Sequence, residues 1–287
     1  MKPENLKSKI FSDSGDPGVT LELIEKLGFL DGQTTNPSLV AKNPVAEKRI
    51  ASGDKFSEHE LLDFYKQVVQ RASNLIPQGS VSIEVYSDKN TKAEEMFQQG
   101  QEFFTWIPNA HIKYPTTSEG LRAAEMSIRS GIRVNMTLVF TQSQAAAVHA
   151  ATRGAKRGDV FVSPFIGRLD DRGENGMDLI KNILTMYREQ ESHVEVLTAS
   201  VRTMDHFYEA LRLGSDIITA PPKILFDWAD QSLGLPGADF AYEVKELKSI
   251  PYEKLDLNSK WEDFDVDNEL TKIGMEKFTA DWKALIK

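Results

Sequence analysis

The chain of 287 residues contains no cysteine. That excludes a structural disulfide and a cysteine-ligated zinc site outright. It fits a reducing compartment, so a cytoplasmic location is expected, although any cysteine-free chain reads the same way. Long hydrophobic runs are missing too. Nothing approaches the roughly 20 apolar residues of a membrane span, so no membrane partner is expected. The leading MKPENLKSKIF has no apolar stretch of the kind a secretory signal needs. Basic charge is scarce: 34 Lys and Arg stand against 43 Asp and Glu, a net charge of −9. Nucleic-acid binding wants a basic face and is not expected. A small anionic substrate needs only a local group of cations and stays open. His59, His111, His149, His193 and His206 show neither HxxxH nor His–carboxylate spacing, and Asp170-Asp171 reads as a solvated loop. No metal is expected. No GxGxxG follows the first apolar run, which weakens a dinucleotide-binding reading.

What is present is alternation. Short β-rich runs recur at 9–15, 29–37, 80–86, 111–117, 133–140, 159–165, 195–201 and 216–222. Several are continuously apolar, as strands buried on both faces are. Amphipathic helical segments separate them, for example 57–76, 117–131, 141–154 and 176–190. Ser57 with Glu60, and Thr117 before Glu119, are candidate helix caps. Repeated strand–helix alternation predicts a parallel sheet, either doubly wound or closed into a barrel. Eight units in about 220 residues favour the α/β class as a (β/α)8 TIM barrel. A single domain over 1–287 is expected. The stretch 229–270 is acidic, with Pro, Gly and scattered aromatics, and reads as an irregular excursion. A C-terminal helix is expected at 271–286, docking through Ile273, Phe278, Trp282 and Leu285.

In a barrel of this kind the C-terminal ends of the strands build the active site. Polar residues interrupt the apolar runs near those ends: Asp13, Thr34 with Asn36, Glu84, Lys113, Asn135 with Thr137, Ser163, and Ser200 with Arg202. A buried polar group without a partner costs a few kcal/mol, so such a ring implies a polar pocket. Lys113 reads two ways. It is a strand-edge lysine snorkelling to solvent, or a desolvated amine whose lowered pKa leaves a nucleophile for carbonyl carbon. Asp13 before Ser14-Gly15 is a turn-initiating residue or a general base. Arg168 and Arg202, with Ser163 and Ser200, form ordinary surface contacts or an anion site with forked donors.

The segments LDGQTTNPSLVAK, IKYPTTSEGL, VNMTLVFTQSQA, VSPFIGRLDD and TASVR resemble, in order and spacing, those of the transaldolase and fructose-6-phosphate aldolase group. The similarity runs from about Ile10 to Phe226 and resumes weakly at 278–282. It implies a Schiff-base barrel enzyme, without a cofactor, that acts on sugar phosphates and is compatible with a homo-oligomer. By motif, Lys113 would form the Schiff base and Asp13 would take the C4 hydroxyl proton. Asn36 and Asn135 would hold hydroxyls of a dihydroxyacetone unit. Glu84 and Thr137 would position a water that relays protons. Ser200, Arg202 and Arg168 would bind phosphate, and Thr34 and Ser163 would line the pocket. The resemblance implies exchange among sedoheptulose 7-phosphate, glyceraldehyde 3-phosphate, erythrose 4-phosphate and fructose 6-phosphate, the chemistry of the pentose phosphate pathway. In the lyase branch, which releases free dihydroxyacetone, glutamine tends to stand at the position of Glu84 and tyrosine at that of Phe165. Both residues here follow the transferase pattern. The alternatives are a lyase, an enzyme for a specialised sugar such as a sulfonated one, and a non-catalytic sugar-phosphate-binding barrel. Two departures stand out. Tyr114 replaces a usually aliphatic residue, and the excursion, read as covering the barrel mouth or an oligomer surface, has no counterpart in compact members.

Overall fold

The eight apolar runs form eight parallel strands, each hydrogen-bonded to the next, with the last closing on the first. In chain order they are β1 (Lys9–Asp13), β2 (Gly32–Thr34), β3 (Ser80–Glu84), β4 (Ala110–Pro115), β5 (Val134–Val139), β6 (Val160–Pro164), β7 (Glu195–Thr198) and β8 (Ile217–Ala220). The structure is a computed structural model, and it describes every residue except Met1 and Lys245. The (β/α)8 TIM barrel expected from the alternation is what the chain forms. Side chains alternate across each strand, so Phe11, His111 and Phe161 share a face with Asp13, Lys113 and Ser163 two residues on. Phe11 meets Phe161 edge-on at 6.1 Å, and His111 stacks on Phe161 at 3.9 Å. These rings fill the barrel beneath the polar strand ends.

The helices are α1 (Pro17–Leu27), α2 (Pro37–Ala41), α3 (Pro44–Ala51), α4 (Glu58–Leu75), α5 (Ala93–Phe104), α6 (Ser118–Arg129), α7 (Gln142–Ala151), α8 (Ile166–Asp170), α9 (Gly176–Glu189), α10 (Met204–Leu213), α11 (Pro222–Asp230) and α12 (Glu269–Leu285). Helix α4 starts with a complete capping box: the Glu60 amide donates to Ser57 Oγ at 3.3 Å, and the Ser57 amide donates to Glu60 Oε2 at 2.7 Å. Thr117 caps α6 alone, accepting from the Gly120 amide at 3.1 Å. Glu119 instead accepts from the Ala93 amide and ties α6 to the start of α5.

The excursion begins two residues later than expected, because α11 runs on to Asp230. It contains a short 3-10 turn at Trp261–Asp263. Irregular backbone needs hydrogen-bond partners, and side-chain amides of the outer helices supply them. Gln142 on α7 exchanges bonds of 2.6 and 2.9 Å with the backbone of Glu253. Gln190, capping α9, does the same with Leu255 and Leu257 at 2.9 and 3.0 Å. Residues 253–257 therefore lie along the α7–α9 flank, while Phe240 and Tyr242 pack against Tyr208 and His206 of α10.

Helix α12 buries Phe278, Trp282 and Leu285 as expected, but Ile273 is 43% exposed. The buried stripe runs instead through Thr271, Gly274, Phe278, Trp282 and Leu285, which is one helical face. Ile273 lies off it. Thr271 takes the inner place because its hydroxyl donates to the Leu138 carbonyl at 2.9 Å and accepts from Gln144 at 2.9 Å.

Candidate active site

The strand ends enclose a cavity whose wall includes Asp13, Thr34, Asn36, Lys113, Ser163 and Thr219. Phe165 at the start of α8, Arg168 within it and Ser200 after β7 complete one side, and Lys277 and Phe278 from α12 complete another.

Lys113 is 3% exposed, so the snorkelling alternative is closed. Its Nζ donates to the Thr35 carbonyl at 3.2 Å and lies 2.9 Å from Glu84 Oε2. The second contact is a charge pair and lacks hydrogen-bond alignment, since that oxygen has no hydrogen-bonded partner in the protein. Strand register explains the meeting: Glu84 pairs with Lys113, and Lys113 with Asn135, on adjacent strands. Burial pushes the Glu84 carboxyl above the usual range, and Lys113 pulls it part of the way back.

Asp13 keeps a narrow opening to the cavity but is walled by strands. Burial raises its pKa, opposed by Lys113, by the Thr34 hydrogen bond and by Lys42. Thr34 Oγ1 donates to Asp13 Oδ1 at 2.6 Å and lies 2.6 Å from Thr219 Oγ1. A hydroxyl has one proton, so the chain of donation runs from Thr219 to Thr34 to Asp13.

Asn135 donates to Ser82 Oγ at 3.0 Å and accepts from Ser163 Oγ at 2.6 Å, fixing its amide orientation. Thr137 Oγ1, like Glu84 Oε2, is buried without a hydrogen-bonded partner. Neither is among the residues that line the cavity. Asn36 serves two ends, because its Oδ1 also caps α2 through the Leu39 amide at 2.9 Å. The hydroxyl of Tyr65 on α4 accepts from the Glu84 amide at 2.9 Å and meets Thr35 Oγ1 at 2.6 Å. It braces the β2 and β3 ends around Lys113.

The two arginines differ. Arg168 lies between the rings of Phe165 and Phe278, 5.5 and 5.6 Å from their centroids. Glu84, Asp171 and Asp281 act on it as more distant charges. Burial, and then the nearby Arg202, lower its pKa. Arg202 is not on the wall. Both ends of its fork are taken by Asp171, with Nη2–Oδ2 at 2.6 Å. Ser200 lines the wall from a left-handed backbone, φ 60°.

Asp170 and Asp171 are also more than a solvated loop. Asp170 lies 2.8 Å from His206 Nε2, a carboxylate partner that sequence spacing could not reveal. It also accepts from the Gly176 amide at 3.0 Å. His59 pairs with Asp63 one turn on at the surface of α4, a His–carboxylate spacing contrary to the expectation that none exists. Among the described residues no three His, Asp or Glu side chains gather as a metal site, and no helix is long and apolar enough to cross a membrane.

The unusual Tyr114 is accommodated from outside the barrel. Gly100 on α5 leaves room for its ring, and Ser127 on α6 meets its hydroxyl at 3.0 Å. Sequence reasoning missed Thr219, Ser38, Lys277 and Phe278 on the wall. Thr219 was legible as a polar residue near a strand end. The other three depend on how α2 and α12 dock.

A family model described as Transaldolase/Fructose-6-phosphate aldolase matches residues 10–287. A probable transaldolase of Dehalococcoides mccartyi is 38% identical over 208 residues, 72% of this chain and 84% of that protein. A probable transaldolase of Cereibacter sphaeroides is 38% identical over 231 residues, 80% and 92% of the two chains. One of Roseiflexus sp. is 35% identical over 257 residues, 90% and 89% of the two chains.

Proposed function

The chain belongs to the transaldolase/fructose-6-phosphate aldolase family, and from that premise we propose that it transfers a dihydroxyacetone unit between sugar phosphates through a Schiff base on Lys113. The observation that carries this reading is Lys113 itself. It is an amine 3% exposed, on the wall of a cavity that also holds the Asp13 carboxyl, with buried Glu84 at 2.9 Å. Burial costs the ammonium form its hydration, and a nucleophile for carbonyl carbon puts that cost to use.

The amine attacks C2 of a ketose phosphate as its neutral form. Glu84 is positioned to take the ammonium proton, and its raised pKa suits a group that shuttles protons. Loss of water gives an iminium. Glu84 Oε2 and Thr137 Oγ1, buried without a hydrogen-bonded partner, are the groups suited to hold that water. Asp13 takes the C4 hydroxyl proton, the C3–C4 bond breaks, and its electron pair moves into the iminium to give an enamine. The aldose leaves. The enamine then adds to an acceptor aldose phosphate, and hydrolysis frees the new ketose. Asn36 and Asn135 hold hydroxyls of the three-carbon unit, and Thr34, Ser163 and Phe165 shape its pocket. Arg168 and Ser200 take the phosphate. Arg202 serves that end through its loop, since its fork is held by Asp171.

The test is incubation with fructose 6-phosphate, borohydride reduction and mass mapping. A three-carbon adduct on Lys113, absent in Lys113→Ala, is expected. An Ala variant that keeps full activity would sink the Schiff base. Dihydroxyacetone release at a rate indifferent to added glyceraldehyde 3-phosphate would make the enzyme a lyase.

A further inference from the structure

The ladder between β2 and β3 departs from regularity at one bond. The Ser80 amide donates to the Asp31 carbonyl at 3.1 Å, and the Thr35 amide donates to the Ser82 carbonyl at 3.3 Å. A parallel ladder advances two residues at a time on each strand, so its next bond would run from the Glu84 amide to the Thr35 carbonyl. Both groups are engaged elsewhere. The Glu84 amide donates to the Tyr65 hydroxyl at 2.9 Å, and the Thr35 carbonyl accepts from Lys113 Nζ at 3.2 Å. The Thr35 hydroxyl gives its proton to the Ser82 carbonyl at 2.8 Å, so the Tyr65 hydroxyl donates to Thr35 Oγ1 at 2.6 Å and is free to accept from the amide. Burial raises the pKa of the phenol, so it keeps that proton. Phe103 of α5, Trp106 just after it and Trp282 of α12 meet the Tyr65 ring at 6.2, 6.0 and 5.9 Å and hold the hydroxyl in place.

We propose that Tyr65 is a positioning residue of the Schiff-base centre: by drawing the Glu84 amide out of the ladder, it releases the Thr35 carbonyl to aim Lys113. This rests on the Schiff-base reading above. A neutral amine has two N–H bonds and one lone pair. One N–H anchored on the Thr35 carbonyl limits where the lone pair points, and attack on a carbonyl carbon needs that direction set. The same diverted bond fixes the backbone of Glu84, whose carboxyl lies 2.9 Å from Nζ. One hydroxyl thus sets both neighbours of the lysine nitrogen. Without the phenolic oxygen the Glu84 amide has its ladder partner to return to, and the carbonyl is withdrawn from Lys113.

The experiment compares wild type with Tyr65→Phe and with Phe103→Leu, which loosens the packing behind the same ring and leaves the hydroxyl. Two carbonyl probes are captured on Lys113 with borohydride and mapped by mass: fructose 6-phosphate, and formaldehyde, which needs no sugar site. Expected for Tyr65→Phe is a fall of about tenfold in both capture rates and in kcat, the size of one lost hydrogen bond. KM for fructose 6-phosphate and the calorimetric Kd for inorganic phosphate should change by less than about twofold, since neither reads the aim of the amine. Phe103→Leu should lower the urea midpoint and keep both capture rates within about twofold of wild type. Equal slowing in the two variants would make Tyr65 a packing residue, and the proposal falls. Unchanged capture in Tyr65→Phe overturns it as well, and so does a wild-type Lys113 that neither carbonyl labels. If wild type captures formaldehyde but not fructose 6-phosphate, the sugar reading fails, while the formaldehyde rates still judge Tyr65.

Discussion

His111 stands on β4 two residues before Lys113, 4% exposed. Its Nε2 is 2.9 Å from the Gly158 carbonyl, which can only accept, so that nitrogen carries the proton. Its Nδ1 then accepts from the Ser80 hydroxyl at 2.7 Å. The neutral ring is satisfied on both sides, and burial pushes its pKa from 6.5 down to about 3, with Arg133 and Lys9 adding to the depression. In the unfolded chain the ring titrates at its ordinary value. The unfolded state therefore binds the proton first as pH falls. The stabilisation is complete above 6.5, declines below it, and levels off only below about 3. Between pH 7 and pH 5 the loss assigned to this one ring is about 2 kcal/mol. Urea unfolding of wild type and His111→Gln at both pH values measures it. The constant cost of the substitution cancels, because only the change with pH is compared. His149, lowered to about 4, and the raised Asp13 and Glu84 act alike in both proteins. A smaller acid loss in the variant, by about 2 kcal/mol, is expected. The same loss in both proteins would refute the claim that the ring is held neutral.

Other substitutions test other parts of the structure. Thr34→Val removes the hydroxyl that favours the charged form of Asp13, so the acid limb of kcat/KM should move to higher pH; a limb that stays in place would detach Asp13 from that limb. Gly100→Ala drives a Cβ within 3.0 Å of Tyr114 Cζ and should cost about 2 kcal/mol in unfolding free energy, with part recovered in Gly100→Ala/Tyr114→Phe; simple additivity would show that the hydroxyl is not the obstacle. Ser57→Ala should lower stability by about 1 kcal/mol through the lost cap of α4, and no change in the urea midpoint would remove the capping box as a contributor.

The barrel was legible because its strands are buried on both faces, so their residues say little else. Lys113 was legible as a charge inside such a run. Arg202 shows where local reading stops. An arginine near a strand end is equally a phosphate ligand or the partner of a carboxylate, and the turn that brings Asp171 onto its fork decides. Ile273 was misread because apolar spacing does not say which stripe of a helix is buried, and a threonine with two hydrogen bonds won the inner place. Lys277 and Phe278 reach the cavity only because α12 packs across α2 and β5, a contact between distant parts of the chain that no local pattern encodes.

Lys113, Glu84 and Asp13 also have a consequence for proton traffic. An ammonium and a carbonyl condense to an iminium and water, and the single positive charge is kept. A neutral amine beside a protonated carboxyl reaches the same total. Under the Schiff-base reading, covalent capture of the ketose exchanges no net proton with bulk water, wherever the proton rested beforehand. The closed walls around these three groups then face the same net charge at donor cleavage and at acceptor addition. One fixed arrangement of dipoles serves both half-reactions, with no reorganisation between them.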